Sequence, residues 1–86
     1  MKANTGFIVA FITVASDEEA AAISKSLVES RLAACVSRVD DLRSLYWWRG
    51  AVESAHESLL IAKTRAALLP RIIQAVKASH SYTVPE

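Results

Sequence analysis

Residues 42–63 read LRSLYWWRGAVESAHESLLIAK, and this stretch decides the fold. Leu42 to Arg49 is rich in aromatic and aliphatic residues, which favour a strand. Arg49-Gly50-Ala51 is a turn, because glycine accepts a positive φ at little steric cost. Val52 to Lys63 is then the returning strand of a long hairpin, with Leu59-Leu60-Ile61-Ala62 as its core segment.

A strand and a helix precede this hairpin. Phe7 to Val14 is a continuous apolar run, which predicts a central strand buried on both faces. Ser16 and Glu19 form a capping box, so a helix begins here. Its apolar spacing continues to the region of Leu32 to Ala34, where we expect it to end.

A second strand and a second helix complete the pattern. Cys35 to Val39 restarts β character, and Asp40-Asp41 predicts a bulge before the hairpin. Because proline is tolerated in the first turn of a helix, Pro70 places the start of the second helix near Leu69. Residues 79–86 leave that helix in extended form.

The order β-α-β-β-α, followed by an extended C-terminal stub, predicts a split β-α-β, ferredoxin-like fold of the α+β class. At 86 residues the chain forms one domain over 1–86, with residues 1–6 frayed. Apolar residues make up 52% of it, more than so small a domain buries by itself. We therefore expect a partner to cover part of the surface, and a second copy of the chain is the commonest partner.

Charge, cysteine content and motifs exclude several classes of function. Ten Lys and Arg balance nine Asp and Glu, without the basic stripe of a nucleic-acid-binding protein or a membrane anchor. No apolar stretch reaches the ~20 residues of a membrane span. One cysteine cannot form an internal disulfide, which favours the cytoplasm. Neither a nucleophile elbow nor a phosphate-binding glycine loop occurs, so we expect no enzyme.

Three blocks of sequence stand out: Arg31-Leu32-Ala33-Ala34-Cys35-Val36; Ser44 to Gly50 with Val52, Glu57 and Lys63-Thr64; and His80-Ser81-Tyr82-Thr83-Val84-Pro85-Glu86. In this order and at these separations they resemble the CutA family of divalent-cation tolerance proteins. The resemblance covers residues 7–86. It implies a ferredoxin-like fold and a tight homotrimer whose long hairpins pair sheets between subunits. It also implies a link to copper and other divalent metals.

The chain departs from the family pattern in several places. Ser37 stands where the family usually has Asn, Asp40-Asp41 where it has Pro-Gly or similar, and Ser81 where it has Pro. Family members continue for a further strand and helix, so we expect this chain to be truncated relative to them. The further strand lies beside the first strand in a ferredoxin-like sheet, so we expect that edge to be open.

Cys35 and His80 are the candidate metal ligands, with copper the first choice. A thiolate is a soft ligand that suits copper, but one thiol cannot hold a metal alone. A metal site at Cys35 therefore needs a further ligand, which His80, Glu57, His56 or a thiol of another subunit would supply. Cys35 is alternatively a small buried apolar residue, and His80 a cation at a helix C-terminus. His56 and Glu57 are adjacent on a strand and therefore point to opposite faces.

The aromatic residues of the hairpin predict a subunit interface. Tyr46 and Trp48 share one face of the strand, and both residue types are enriched in interfaces. A ligand pocket is the alternative interpretation, formed by Trp48 with Lys63, Tyr82 and Glu86. The resemblance to the CutA family thus implies a trimeric, metal-responsive binding protein, with a trimeric small-molecule sensor or an assembly scaffold as alternatives.

Overall fold

The computed structural model describes residues 6–79. In chain order the elements are β1 (Phe7–Val14), α1 (Asp17–Glu29), β2 (Cys35–Trp48), β3 (Ala51–Arg65), a 3₁₀ turn (Ala66–Leu68) and α2 (Leu69–Ser79). The three strands form one antiparallel sheet in the order β1-β3-β2. This arrangement confirms the predicted α+β, ferredoxin-like fold. The predicted C-terminal stub lies outside the described residues.

The strand at the centre of this sheet is β3, and the prediction that β1 is central was wrong for the described part of the chain. On one face of β1, Ile12 and Val14 are buried. On the other, Phe7 is 81% exposed and Phe11 is 65% exposed. A continuous apolar run predicts that both faces of a strand are shielded from water, but it does not show which part of the molecule shields each face. For this reason the sequence misplaced β1.

The core lies between the two helices and one face of the sheet. The residues that form it are buried to at least nine-tenths: Ile12, Val14, Leu60 and Ala62 from the strands, Ala20, Ile23 and Leu27 from α1, Ile72 and Val76 from α2, and Leu32 and Ala33 after α1. Of the predicted core segment, Leu60 and Ala62 point to the helices. Leu59 and Ile61 are only partly buried, because alternate residues of a strand face opposite ways.

The helix α1 begins as predicted and ends earlier. The Glu19 backbone N–H donates to Ser16 Oγ at 3.1 Å, and Glu19 Oε1 accepts from the Ala15 N–H at 3.3 Å. The last helical residue is Glu29 rather than a residue near Leu32. Arg31 then adopts a left-handed conformation with φ 63°, which turns the chain towards β2 although the apolar spacing continues.

The hairpin has the predicted turn and the predicted bulge. Arg49 and Gly50 have φ values of 52° and 80°, as a two-residue turn with two left-handed positions requires. The register of β2 against β3 shifts between Val39 and Leu42. Two residues of β2 therefore oppose one residue of β3. On the face of the sheet away from the helices, β2 has odd-numbered residues before the bulge and even-numbered residues after it.

Candidate functional site

The sheet has a second face, opposite the helices, which we call the open face. Rows of directly paired residues cross it, including Val9-Lys63-Cys35 and Phe11-Ile61-Ser37. The large apolar side chains that it exposes are Phe7, Val9, Phe11, Val39, Tyr46 and Trp48. So large an exposed apolar surface is typical of a site that contacts another molecule.

Cys35, the predicted thiolate ligand, begins β2 at the end of the sheet far from the hairpin turn. Its side chain is exposed in the single chain, so the described residues do not bury it as the alternative interpretation expected. It lies on the open face, directly opposite Lys63. An accessible thiol is suited to soft metals, although the neighbouring ammonium opposes the approach of a cation.

The predicted ligand-pocket residues of the hairpin do not come together within one chain. Trp48 pairs with Ala51, whereas Lys63 lies 12 residues further along β3. At ~3.3 Å per residue this separates Trp48 and Lys63 by roughly 40 Å. A pocket containing both residues therefore requires a second chain.

Tyr46 and Glu57 occupy the open face between those two ends. Tyr46 is 45% exposed and lies opposite Glu53. Glu57 is partly buried, and its Oε1 accepts a hydrogen bond of 2.6 Å from Ser44 Oγ. This bond holds the Glu57 carboxylate against β2. The pairing register also places Glu57 six residues along β3 from the partner of Cys35, so the two do not share a metal in one chain.

Next to the bulge, on the helix side of the sheet, Arg38 joins two carboxylates. Its Nε donates to Asp40 Oδ1 and its Nη2 to Asp17 Oδ1, each at 2.6 Å. Asp40 Oδ1 also accepts from Ser58 Oγ at 3.0 Å. The hydrogen bond from Arg38, followed by that from Ser58, lowers the pKa of Asp40 below its usual range. In turn Asp40, more than Asp17, raises the pKa of Arg38.

This Arg38 network was missed by the sequence analysis. Residues 38 and 40 are two apart on a strand and so share a face, which was a usable signal for an Arg–Asp pair. The contact with Asp17 is not readable from the sequence, because it depends on where α1 crosses the sheet. The network ties the first turn of α1 to the bulge of β2.

His56 and Asp41 meet on the same side of the hairpin, through Nε2 and Oδ1 respectively. This contact orients His56 away from the open face, where Glu57 lies, as the alternation of the strand predicted. Over residues 6–79 no group of three His, Cys, Asp or Glu side chains is arranged to hold a metal ion. The described part of one chain therefore does not supply a complete set of metal ligands.

Three of the predicted site residues, His80, Tyr82 and Glu86, lie outside the described residues. The pairing of Cys35 with His80 consequently stays a prediction. Within residues 6–79, neither α1 nor α2 is long and apolar enough to cross a membrane.

Comparison with known proteins identifies close relatives. The divalent-cation tolerance protein CutA of Thermus thermophilus is 51% identical over 78 residues, which are 91% of this chain and 76% of the relative. The rice protein named Protein CutA 1, chloroplastic, is 44% identical over 79 residues, which are 92% of this chain and 45% of the relative. The chain thus spans less than half the length of the plant relative.

Solved structures agree in fold. The divalent cation tolerance protein Cut A1 of Thermus thermophilus superposes with a TM-score of 0.91 at 49% identity, covering 94% of this chain and 79% of that one. CutA1 from Oryza sativa gives a TM-score of 0.92 at 42% identity, with 98% and 78% covered. The family model for the CutA1 divalent ion tolerance protein matches residues 8–86. This chain therefore belongs to the CutA1 family of divalent ion tolerance proteins.

Proposed function

We propose that this chain is a homotrimeric, non-enzymatic protein of the cytoplasm that binds divalent cations, with copper as the first metal to test. The observation that carries the proposal is the open face, which has an accessible thiol at one end and exposed aromatic side chains at the other. The names of the relatives, which refer to tolerance of divalent cations, support the metal part.

Self-association is supported by the distribution of apolar surface. Phe11 and Trp48 expose 65% and 58% of their area on the same face of one sheet. On the opposite side of the hairpin, Trp47 is 74% exposed. A hairpin tip that is apolar on both sides is suited to insertion between two neighbouring subunits, since interfaces are enriched in Trp and Tyr.

Metal binding is supported by the chemistry of Cys35. It also needs ligands in addition to those that residues 6–79 of one chain supply. A thiolate is a soft ligand, and Cys35 is exposed at the start of β2. Because no three-ligand group exists within residues 6–79 of one chain, we assign the remaining ligands to His80 or to neighbouring subunits. If neighbouring subunits supply those ligands, copper binds only to the assembled protein, whereas ligation by His80 of the same chain does not require assembly.

Native mass spectrometry with and without a small excess of copper tests both parts. We expect a mass of about 28 kDa, three times the 9.4 kDa of one chain, with whole-number uptake of copper. Cys35→Ala should keep the trimer and lose the copper. Ser37→Ala is the matched control, because Ser37 is an exposed residue on the same strand and face.

A lasting monomer contradicts the trimer. Copper uptake that survives Cys35→Ala unchanged contradicts the role of the thiolate and leaves the assembly intact. The two parts of the proposal therefore fail separately.

A trimeric sensor of small molecules is the second candidate, and the missing three-ligand group within residues 6–79 favours it. In that case metal binding is incidental. Thermal-shift measurements discriminate between the two, because a sensor with the Cys35→Ala substitution keeps all of its ligand-dependent stabilisation. Complete loss of that stabilisation in Cys35→Ala contradicts the sensor.

A further inference from the structure

A cleft of about 700 Å³ opens at the end of the sheet farthest from the hairpin turn. It lies between the start of β1, the end of β3 and the segment that links α1 to β2. Its apolar wall includes Ile8, Leu32 and Leu68. Cavities of 300–1,000 Å³ with a largely apolar lining are typical of small-molecule sites.

The charged residues of this cleft all carry the same sign. Arg31, Lys63 and Arg65 line it, and the described residues around it include no Asp or Glu. Apolar walls strengthen electrostatic attraction by lowering the local dielectric constant. Arg65 is also oriented, because its guanidinium lies 6.0 Å from the centre of the Phe7 ring.

Arg31 occupies its place at a conformational cost. It follows the end of α1 with φ 63°, a left-handed position where glycine is the usual residue. The backbone bonds from Arg31 N–H to Val28 O and from Leu32 N–H to Leu27 O hold this conformation. Backbone strain of this kind is concentrated at ligand-binding and other functional sites.

We propose that this cleft binds a small amphipathic anion, with a carboxylate or phosphate head and a short apolar tail. Arg31 and Arg65 bind the head, since guanidinium groups match the geometry of both anions. The tail packs against Leu32 and Leu68. The site uses neither Cys35 nor a metal and is therefore independent of the proposed metal binding.

The test uses two-dimensional ¹H–¹⁵N NMR of the assembled protein, with octanoate and octyl phosphate as probes and octan-1-ol as the uncharged control. We expect octanoate or octyl phosphate to shift the backbone amides of residues 31–34 and 63–65. A larger response to one of the two anions identifies the preferred head. Octan-1-ol should shift them little, because it cannot pair with the guanidinium groups.

Arg31→Gly separates binding from folding. Glycine relieves the left-handed strain, so the melting temperature should stay the same or rise. Removal of the charged hydrogen bonds should raise the dissociation constant of the anion about tenfold. The matched control is Arg71→Gln, which removes a positive charge from an exposed position of α2 outside the cleft and should leave binding unchanged.

Three results would overturn the proposal. One is equal binding of octan-1-ol and octanoate, which assigns the cleft to apolar ligands. Another is unchanged affinity in Arg31→Gly. The third is the absence of shifts at residues 31–34 and 63–65, which is the result expected if another subunit already covers the cleft.

Discussion

The two faces of the sheet have similar apolar content and different surroundings. The face towards α1 and α2 buries Leu60 and Val14 completely. The open face carries Phe11 and Phe7, which are larger, and leaves most of their area exposed. The comparison teaches that α1 and α2 cover one apolar face of the described sheet and leave the other uncovered. Exposed apolar surface of this kind is typical of a face that contacts a further molecule.

Substitution of neighbouring residues on β3 tests this comparison with the largest expected effect. Leu60→Ala should lower the free energy of unfolding by about 3 kcal/mol at every protein concentration, because it leaves a cavity under the helices. Ile61→Ala, on the open face, should destabilise the protein only where subunits associate. Chemical denaturation at several protein concentrations measures both.

Equal losses for Leu60→Ala and Ile61→Ala, independent of concentration, would contradict the distinction between the faces. Such a result would mean that the partly buried Ile61 already makes its stabilising contacts within one chain. No effect of Leu60→Ala would contradict the core itself.

Trp48→Ala tests the comparison at the end of the open face next to the hairpin turn. Trp48 contacts Arg49, whose guanidinium lies 5.5 Å from the ring centre, and remains 58% exposed in the single chain. If Trp48 anchors an interface, its removal should weaken assembly by about 2 kcal/mol per subunit. Sedimentation analysis over a range of concentrations measures this. A trimer of unchanged stability would assign the interface to other residues. Arg49→Ala is the control, because it removes the contact of the guanidinium with the Trp48 ring and leaves the ring in place.

Asp40→Asn has the smallest expected effect and tests how the helix-covered face is tied to the bulge. The pKa of Asp40 is lowered in the folded state, so its charge stabilises the fold above the unfolded pKa. That contribution is lost as the pH falls through the lowered folded pKa. The melting temperature of Asp40→Asn should therefore lie below that of the unmodified protein at pH 7, and the difference in melting temperature should disappear once the pH falls below the lowered folded-state pKa of Asp40.

Glu18→Gln is the control, because Glu18 is a first-turn carboxylate of α1 outside the Arg38 network. A difference in melting temperature that does not change with pH would assign the effect of Asp40→Asn to geometry rather than to charge.

Features encoded by a few adjacent residues were predictable from the sequence. The capping box of Ser16 and Glu19, the turn at Arg49-Gly50 and the bulge at Asp40-Asp41 each depend on local backbone chemistry. The three sequence blocks also predicted the family, which the comparisons confirm.

Features that depend on distant parts of the chain were not predictable. In the described sheet, the edge position of β1 follows from its pairing with β3 alone, and the exposure of Cys35 follows from which face the helices leave uncovered. The end of α1 at Glu29 was missed because Arg31 adopts a conformation for which its residue type gives no signal. The separation of Trp48 from Lys63, by contrast, already followed from the predicted hairpin, which has Trp48 beside the turn and Lys63 at the far end of the returning strand.

The bulge in β2 also bears on how the length of this hairpin can vary. It contains one residue more than a regular ladder needs between Val39 and Leu42. A chain with one residue fewer at this point would form a continuous ladder and keep the same side chains on each face. A deletion between Leu42 and Trp48 would instead move the residues between the deletion and the bulge to the opposite face. Residues 40–41 are therefore the position in β2 where natural or engineered deletions are tolerated best.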